Sequence, residues 1–267
     1  MPSQNEIAAI FGALACEAGR AIMRARASGA DARHKADGSP VTQADFDADR
    51  CIRDGLARVL PSLPVVTEEA TETHGALTGG PFILVDPLDG TREFVAGRDE
   101  FTVNIALIEN GVPIAGAIYA PALGRLYVAG TEARRAEVPS GAEMPALSAM
   151  RTIAAAPMPE RGWRAVASRS HRDPDTARWL ESNPVGECCA AGSSLKFCLI
   201  AEGAADVYPR LSPTMAWDTA AGHAILLAAG GRVERLDGRA LRYGIDGEGF
   251  SNPAFIAWAR GPAHARR

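Results

Sequence analysis

Glu68, Asp86, Asp89 and Asp218 are the residues of this 267-residue chain whose types and surroundings best suit chemistry. A hard divalent cation such as magnesium wants oxygen ligands in near-octahedral geometry, usually a few carboxylates completed by water and substrate phosphate. In Asp86-Pro87-Leu88-Asp89-Gly90-Thr91, Pro87 fixes its own φ and Gly90 permits a tight turn, so both acids can converge while the Leu88 carbonyl points inward. If Gly90 and Thr91 open a helix, their backbone N–H groups offer a seat for a phosphate. A metal-activated water could then attack phosphorus in line, oriented by the Thr91 hydroxyl and a nearby acid. Taken singly, each acid has a plainer structural reading. Asp before Gly is a common turn residue, Asp218 before Thr-Ala-Ala-Gly is a good helix N-cap, and Glu68-Glu69 suits a solvated edge.

The elements that must position these acids can be read from periodicity. The opening segment, 1–27, reads as an amphipathic helix, and the polar stretch HKADGSPVTQAD leads into a second helix with apolar spacing at Phe46, Ile52, Leu56 and Val59. Asp45 lies near the start of that helix. LPVVTEE and PFILVD read as strands that end in carboxylates. FTVNIALIENGVPIAGAIYA alternates apolar and polar residues around Asn110-Gly111, a hairpin signal, and suggests an antiparallel first half. An Ala-, Glu- and Pro-rich stretch from about residue 130 to 150 suggests a boundary, placed between halves 1–140 and 141–267. Beyond it WRAVASRS and ADVYPRL read as strands, and DTARWLES, GSSLKFCLIAEGAA and DTAAGHAILLAAGG as helices. The expected class is an α+β half followed by an α/β half.

Composition narrows the function. Hydrophobic residues make up 47% and charged residues 22%, as in ordinary globular enzymes, and the formal charge of -4 argues against binding nucleic acid polymers through counterion release. The opening segment lacks the order of a signal peptide, and no apolar run is long enough to form an integral membrane segment. The cytoplasm is the simplest address. Five cysteines without CxxC or zinc spacing are expected to be reduced and packed in the core. His34, His74, His223 and His264 show no paired metal spacing, and His223 is expected to be a core or cap histidine. The tryptophans and tyrosines are read as packing, with one of them able to stack on a base.

With TEE at 67–69, DPLDGT at 86–91, WDTAAGHA from 217 and GSPVTQAD upstream, the chain resembles the inositol monophosphatase superfamily of magnesium-dependent, lithium-sensitive phosphatases. The resemblance covers nearly the whole chain. It implies a layered α-β-α-β-α sandwich of the inositol monophosphatase/fructose-1,6-bisphosphatase type, with two or three Mg2+ ions per site at the junction of the halves. It also implies metal ligation by Glu68, Asp86, the Leu88 carbonyl, Asp89 and Asp218, and phosphate binding by the Gly90 and Thr91 N–H groups. Glu68, Thr91 and Asp45 are implied as catalytic, with Asp45 pairing with Thr91 to help activate the water.

The wording DPLDGTREFVAGRDEFTVNIALI, SRSH, GSSLKFCLIAEG and ADVYPR is similar to the 3'(2'),5'-bisphosphate nucleotidase branch. That branch removes the 3'-phosphate of adenosine 3',5'-bisphosphate (PAP) to leave AMP, and PAPS to APS is a companion reaction, in sulfur assimilation. A second phosphate needs cationic groups away from the metals, which Lys196 and Arg210 can supply; the inositol-specific branch is typically acidic where this chain has Arg210. Ser193 and His171 are further candidates for the distal group. The implied substrate-binding set is thus Glu68, Leu88, Asp89, Gly90, Thr91, His171, Ser193, Lys196, Arg210 and Asp218. Two other readings stay open: an inositol monophosphatase or broad sugar-phosphate phosphatase, and a non-catalytic nucleotide-sensing protein. The resemblance also implies a monomer or homodimer, with peripheral association at the inner face of a bacterial inner membrane as an alternative location.

Overall fold

A computed structural model describes residues 1–29, 32–35, 38, 40–75, 79–168, 173–244 and 249–261. Helix α1 (Gln4–Ser28) begins with a capping box in which Ser3 and Glu6 satisfy each other's backbone N–H groups. A short hairpin, β1 (Ala32–His34) with β2 (Pro40–Thr42), leads into α2 (Gln43–Val59). Thr42 and Asp45 form a second capping box there, which fixes Asp45 at the first turn and buries it.

The first sheet comprises β3 (Val65–Thr67), β4 (Phe82–Asp89), β5 (Thr102–Glu109), β6 (Val112–Ala120), β7 (Arg125–Ala129), β8 (Ala133–Glu137) and β9 (Arg151–Thr152), in that spatial order. Every pairing is antiparallel except that of β3 with β4. Asn110 and Gly111 turn β5 into β6 with φ of 51° and 74°, the left-handed pair that a two-residue hairpin demands. The polar alternation expected of this hairpin gives way to burial on both faces. Val103, Ile105 and Leu107 pack against α1 and α2, while Ala106 and Ile108 face the next layer. A sheet covered on both sides reads as a nearly continuous apolar run.

The second sheet uses β10 (Trp163–Ser168), β11 (Val185–Ala191) and β12 (Val207–Arg210), which are parallel, and β14 (Arg232–Arg235) and β16 (Phe255–Trp258), which join antiparallel, in the order β11-β10-β12-β16-β14. A small pair, β13 (Thr214–Met215) with β15 (Ser251–Asn252), lies beside the start of a helix described below. Helix α3 (Thr91–Val95) follows the metal-like turn, α4 (Pro174–Ser182) covers the outer face of the second sheet, and α5 (Leu195–Ala201) and α6 (Ala216–Ala228) fill the space between the sheets. Three apolar clusters separate α1–α2, the first sheet, α5–α6, the second sheet and α4, so the layers run α-β-α-β-α as expected.

One expectation about packing changes. Cys16 and Cys198 are buried, but Cys188 and Cys189 are exposed, because β11 is an edge strand with little cover on its outer residues. Three of the tryptophans cluster: Trp163, Trp179 and Trp258 meet with ring centroids 5.5 to 6.3 Å apart over the outer face of the second sheet. Packing as the role of these rings stands. His223 is buried in α6, with burial pushing its imidazole down to about 3, and it contacts the Tyr243 hydroxyl.

Candidate active site

The turn after β4 brings its two acids to one face by a local irregularity. In a regular strand Asp86 and Asp89, three residues apart, would point to opposite faces. Here Asp86 pairs with Asn104 and Asp89 with Thr102, so an extra residue bulges out and both acids face the same side. Pro87 tolerates the bulge because it has no N–H to leave unpaired. The Leu88 N–H donates to Asp86 Oδ1 at 3.1 Å, and the Leu88 carbonyl lies 3.1 Å from the Thr91 hydroxyl. Gly90 has φ of 91°, and a Cβ there would lie 2.3 Å from Ser193 Oγ; only glycine fits.

The other acids arrive from neighbouring elements. Glu68 follows β3, and its N–H donates to the Val85 carbonyl, which sets it beside Asp86. Asp218 is the third residue of α6 rather than the cap, and its Oδ2 accepts from the Met215 N–H at 2.8 Å. Ligand oxygens of Glu68, Asp86 and Asp218 lie within 4.8 Å of one another. Burial, then mutual repulsion among these acids, pushes the carboxyls of Asp86 and Asp218 well up. Burial likewise raises Asp89, against the pull of Lys196. Buried carboxylates crowded together without enough positive charge are the donor set a divalent cation fits.

Thr91 and Asp45 meet as expected. The Thr91 hydroxyl lies 3.0 Å from Asp45 Oδ1, while Asp45 Oδ2 accepts from the Thr42 N–H and hydroxyl at 2.7 Å each. Burial raises the Asp45 carboxyl despite these bonds.

Lys196 and Arg210 line the same cleft, of about 270 Å³, together with Glu68, Asp86, Asp89, Thr91 and Asp218. Lys196 is buried, sits 5.3 Å from the centre of the Tyr208 ring and contacts the Ser193 carbonyl. Burial lowers its ammonium to about 8, although Asp89 pulls the other way. Arg210 ends β12 and is 9% exposed; its Nε and Nη2 donate to the carbonyls of Ser212 and Pro213, both at 3.3 Å. Ser193, a non-glycine residue at φ of 49°, has its hydroxyl 2.9 Å from the Asp89 carbonyl and 2.8 Å from that of Glu100, so it ties its loop to the metal-like turn. His171 lies outside the described residues.

Sequence reasoning missed Lys35. Its Nζ reaches Glu68 and Glu69 at 2.7 Å each. Burial disfavours that ammonium, but the two carboxylates outweigh it and hold it charged. Glu69, pushed up to about 7 by burial, is the more buried of the pair. A lysine in a polar loop 33 and 34 residues before its partners carries no periodic signal. Trp217 and Tyr208 also line the cleft, and His74 packs 5.1 Å from the Trp217 ring while its Nε2 contacts the Thr67 carbonyl.

The sequence profile of the inositol monophosphatase family matches residues 3–262. Among its relatives, 3'(2'),5'-bisphosphate nucleotidase CysQ of Escherichia coli O157:H7 is 43% identical over 249 residues, covering 91% of this chain and 95% of the relative. The enzyme of the same name from Aggregatibacter actinomycetemcomitans is 32% identical over 229 residues, covering 84% and 82%. The crystal structure of CysQ from Bacteroides thetaiotaomicron superposes with a TM-score of 0.77 at 39% identity, covering 96% of this chain and 97% of that one. Mycobacterium tuberculosis SuhB, at 24% identity and a TM-score of 0.71 over 97% of this chain and 93% of that one, shares the fold.

Proposed function

The chain belongs to the inositol monophosphatase family, and on that premise we propose that it is a magnesium-dependent 3'(2'),5'-bisphosphate nucleotidase that hydrolyses the 3'-phosphate of adenosine 3',5'-bisphosphate to AMP and phosphate. PAPS, converted to APS, is a second substrate in this reading, and the setting is sulfur assimilation. The observation that carries it is the meeting of two charge patterns in one cleft. Acids crowd at one end, and the cations Lys196 and Arg210 stand beside them. A polyol phosphate has no use for the cations, whereas a second phosphate does.

In this mechanism residues 1–140 supply Asp45, Glu68 and the turn Asp86–Thr91, and residues 141–267 supply Lys196, Arg210 and Asp218. Glu68, Asp86, the Leu88 carbonyl, Asp89 and Asp218 would hold magnesium, with two or three ions in the cleft. When bound, magnesium supplies neutralisation of the phosphate charge and Lewis acidity toward the attacking water. The N–H groups of Gly90 and Thr91 receive the scissile phosphate. With its hydrogen turned to Asp45 Oδ1, the Thr91 oxygen keeps lone pairs for a water O–H and so orients the water. The proton leaves through Thr91 Oγ1 to Asp45, whose raised carboxyl accepts it more readily than an exposed aspartate would. Glu68 orients the same water from the end of the neighbouring parallel strand β3. Lys196 and Arg210 bind the 5'-phosphate, with Ser193 holding the loop before α5 in place and His171 assigned to the same group.

Phosphate release from adenosine 3',5'-bisphosphate and from inositol 1-phosphate, compared at matched low concentrations with magnesium, tests the assignment. The expected result is a clear preference for the nucleotide. A preference for the inositol ester makes the protein an inositol monophosphatase, and turnover of neither ester refutes the nucleotidase assignment.

A further inference from the structure

Thr102, Asn104 and Ser194 are polar residues buried to 0%, 1% and 2% exposure, beside the metal-like turn but outside the set assigned above. Their contacts leave little freedom in how the hydrogens point. The Ser194 hydroxyl donates to Asn104 Oδ1 at 2.7 Å, so its single hydrogen is used. The Thr102 hydroxyl, 2.8 Å from Ser194 Oγ, must then be the donor in that contact. With Oδ1 of Asn104 occupied as acceptor, its amide group faces Asp89, where Nδ2 lies 3.4 Å from Oδ2. The chain of donors therefore runs Thr102 to Ser194 to Asn104 to the Asp89 carboxylate.

We propose that Asn104 is a positioning residue, which engages Asp89 Oδ2 and so turns the other carboxylate oxygen toward the cation. This inference rests on the metal-dependent reading of the site. The bulge that puts Asp86 and Asp89 on one face pairs them with Asn104 and Thr102, so all four side chains share that face and the amide meets Asp89 across the strand pair. The chain also reaches the loop before α5. Ser194 adjoins Ser193, whose hydroxyl contacts the Asp89 carbonyl, and Lys196 follows two residues later. Groups that orient a ligand side chain in this way typically change metal affinity about 10–100-fold when removed.

The test is the affinity of purified full-length protein for Mn2+, measured by calorimetry or electron paramagnetic resonance without substrate, in wild type, Asn104→Ala, Ser194→Ala and Ile105→Val. Ile105 lies on the same strand with its side chain on the opposite face, in the core against α1 and α2, and so controls for a general loss of stability. Asn104→Ala is expected to bind Mn2+ about 10–100-fold more weakly. Ser194→Ala keeps the amide but frees its orientation, so a smaller loss is expected, and Ile105→Val should bind like wild type. Wild-type affinity in Asn104→Ala, or an equal loss in Ile105→Val, overturns the inference alone. Failure of the wild type to bind Mn2+ overturns the metal reading and the inference with it.

Discussion

Arg210→Ala separates recognition of the second phosphate from the chemistry at the first. The side chain is nearly buried at the end of β12, and two backbone carbonyls fix its guanidinium before any ligand arrives. A preset cation loses little freedom on binding, so a charge-assisted bond to phosphate is worth about 1.5–3 kcal/mol. At about 1.4 kcal/mol per decade, kcat/KM for adenosine 3',5'-bisphosphate should fall roughly 10–100-fold. Arg210 also helps to lower the Lys196 ammonium, so its removal leaves Lys196 more fully charged and places the loss toward the lower end. Adenosine 3'-monophosphate has no 5'-phosphate to lose, and its kcat/KM should change by less than about threefold. Steady-state phosphate release with both substrates reads the difference, and Arg210→Lys should fall between wild type and Ala. Equal losses on both nucleotides would refute the reasoning, since Arg210 would then support the fold or the metal turn rather than the second phosphate.

Asp89→Asn removes one of the crowded charges while keeping its shape, and should lower turnover at least about 100-fold with little change in circular dichroism. Thr91→Ala deletes the hydroxyl that contacts Asp45 and should cost about 10²–10⁴-fold in kcat, while Thr91→Ser restores most of it, read in the same phosphate assay. The acids also predict a pH dependence of stability. Asp86, Asp89 and Asp218 have carboxyls raised on folding, so their contribution is fully present below the ordinary carboxylate value near 4 and is lost as pH rises through the folded values, to about 8 for Asp218. Metal-free protein should therefore melt lower at pH 8.5 than at pH 5.5, and saturating magnesium should raise Tm more at the higher pH. A magnesium gain independent of pH in differential scanning fluorimetry contradicts this.

Local patterns in the sequence reveal strand ends, turns and helix starts, and they disclosed much of this molecule. The segment Asp86–Thr91, the hairpin at Asn110-Gly111 and the helix beginning near Asp45 could be read because each follows from a short-range steric or periodic rule, whereas the layered class was implied by the family resemblance. Contacts set by the tertiary arrangement could not. The bulge that turns Asp86 and Asp89 to one face depends on pairing with β5, and Asp218 proves to be the third residue of its helix, because β13 and β15 shape the approach to α6. The partnership of Lys35 with Glu68 and Glu69 joins a polar loop to a strand end. Strands β11, β14 and β16 carried too little pattern to be recognised, and exposure at Cys188 and Cys189 follows from the edge position of β11, which is a property of the sheet and not of the two residues.

The most direct test of the central claim is the identity of the product formed from adenosine 3',5'-bisphosphate. Incubation with magnesium, followed by chromatographic separation of the two adenosine monophosphates, should give adenosine 5'-monophosphate and one equivalent of phosphate, with no reaction in chelator. Formation of adenosine 3'-monophosphate, or turnover undiminished by the chelator, would contradict the account.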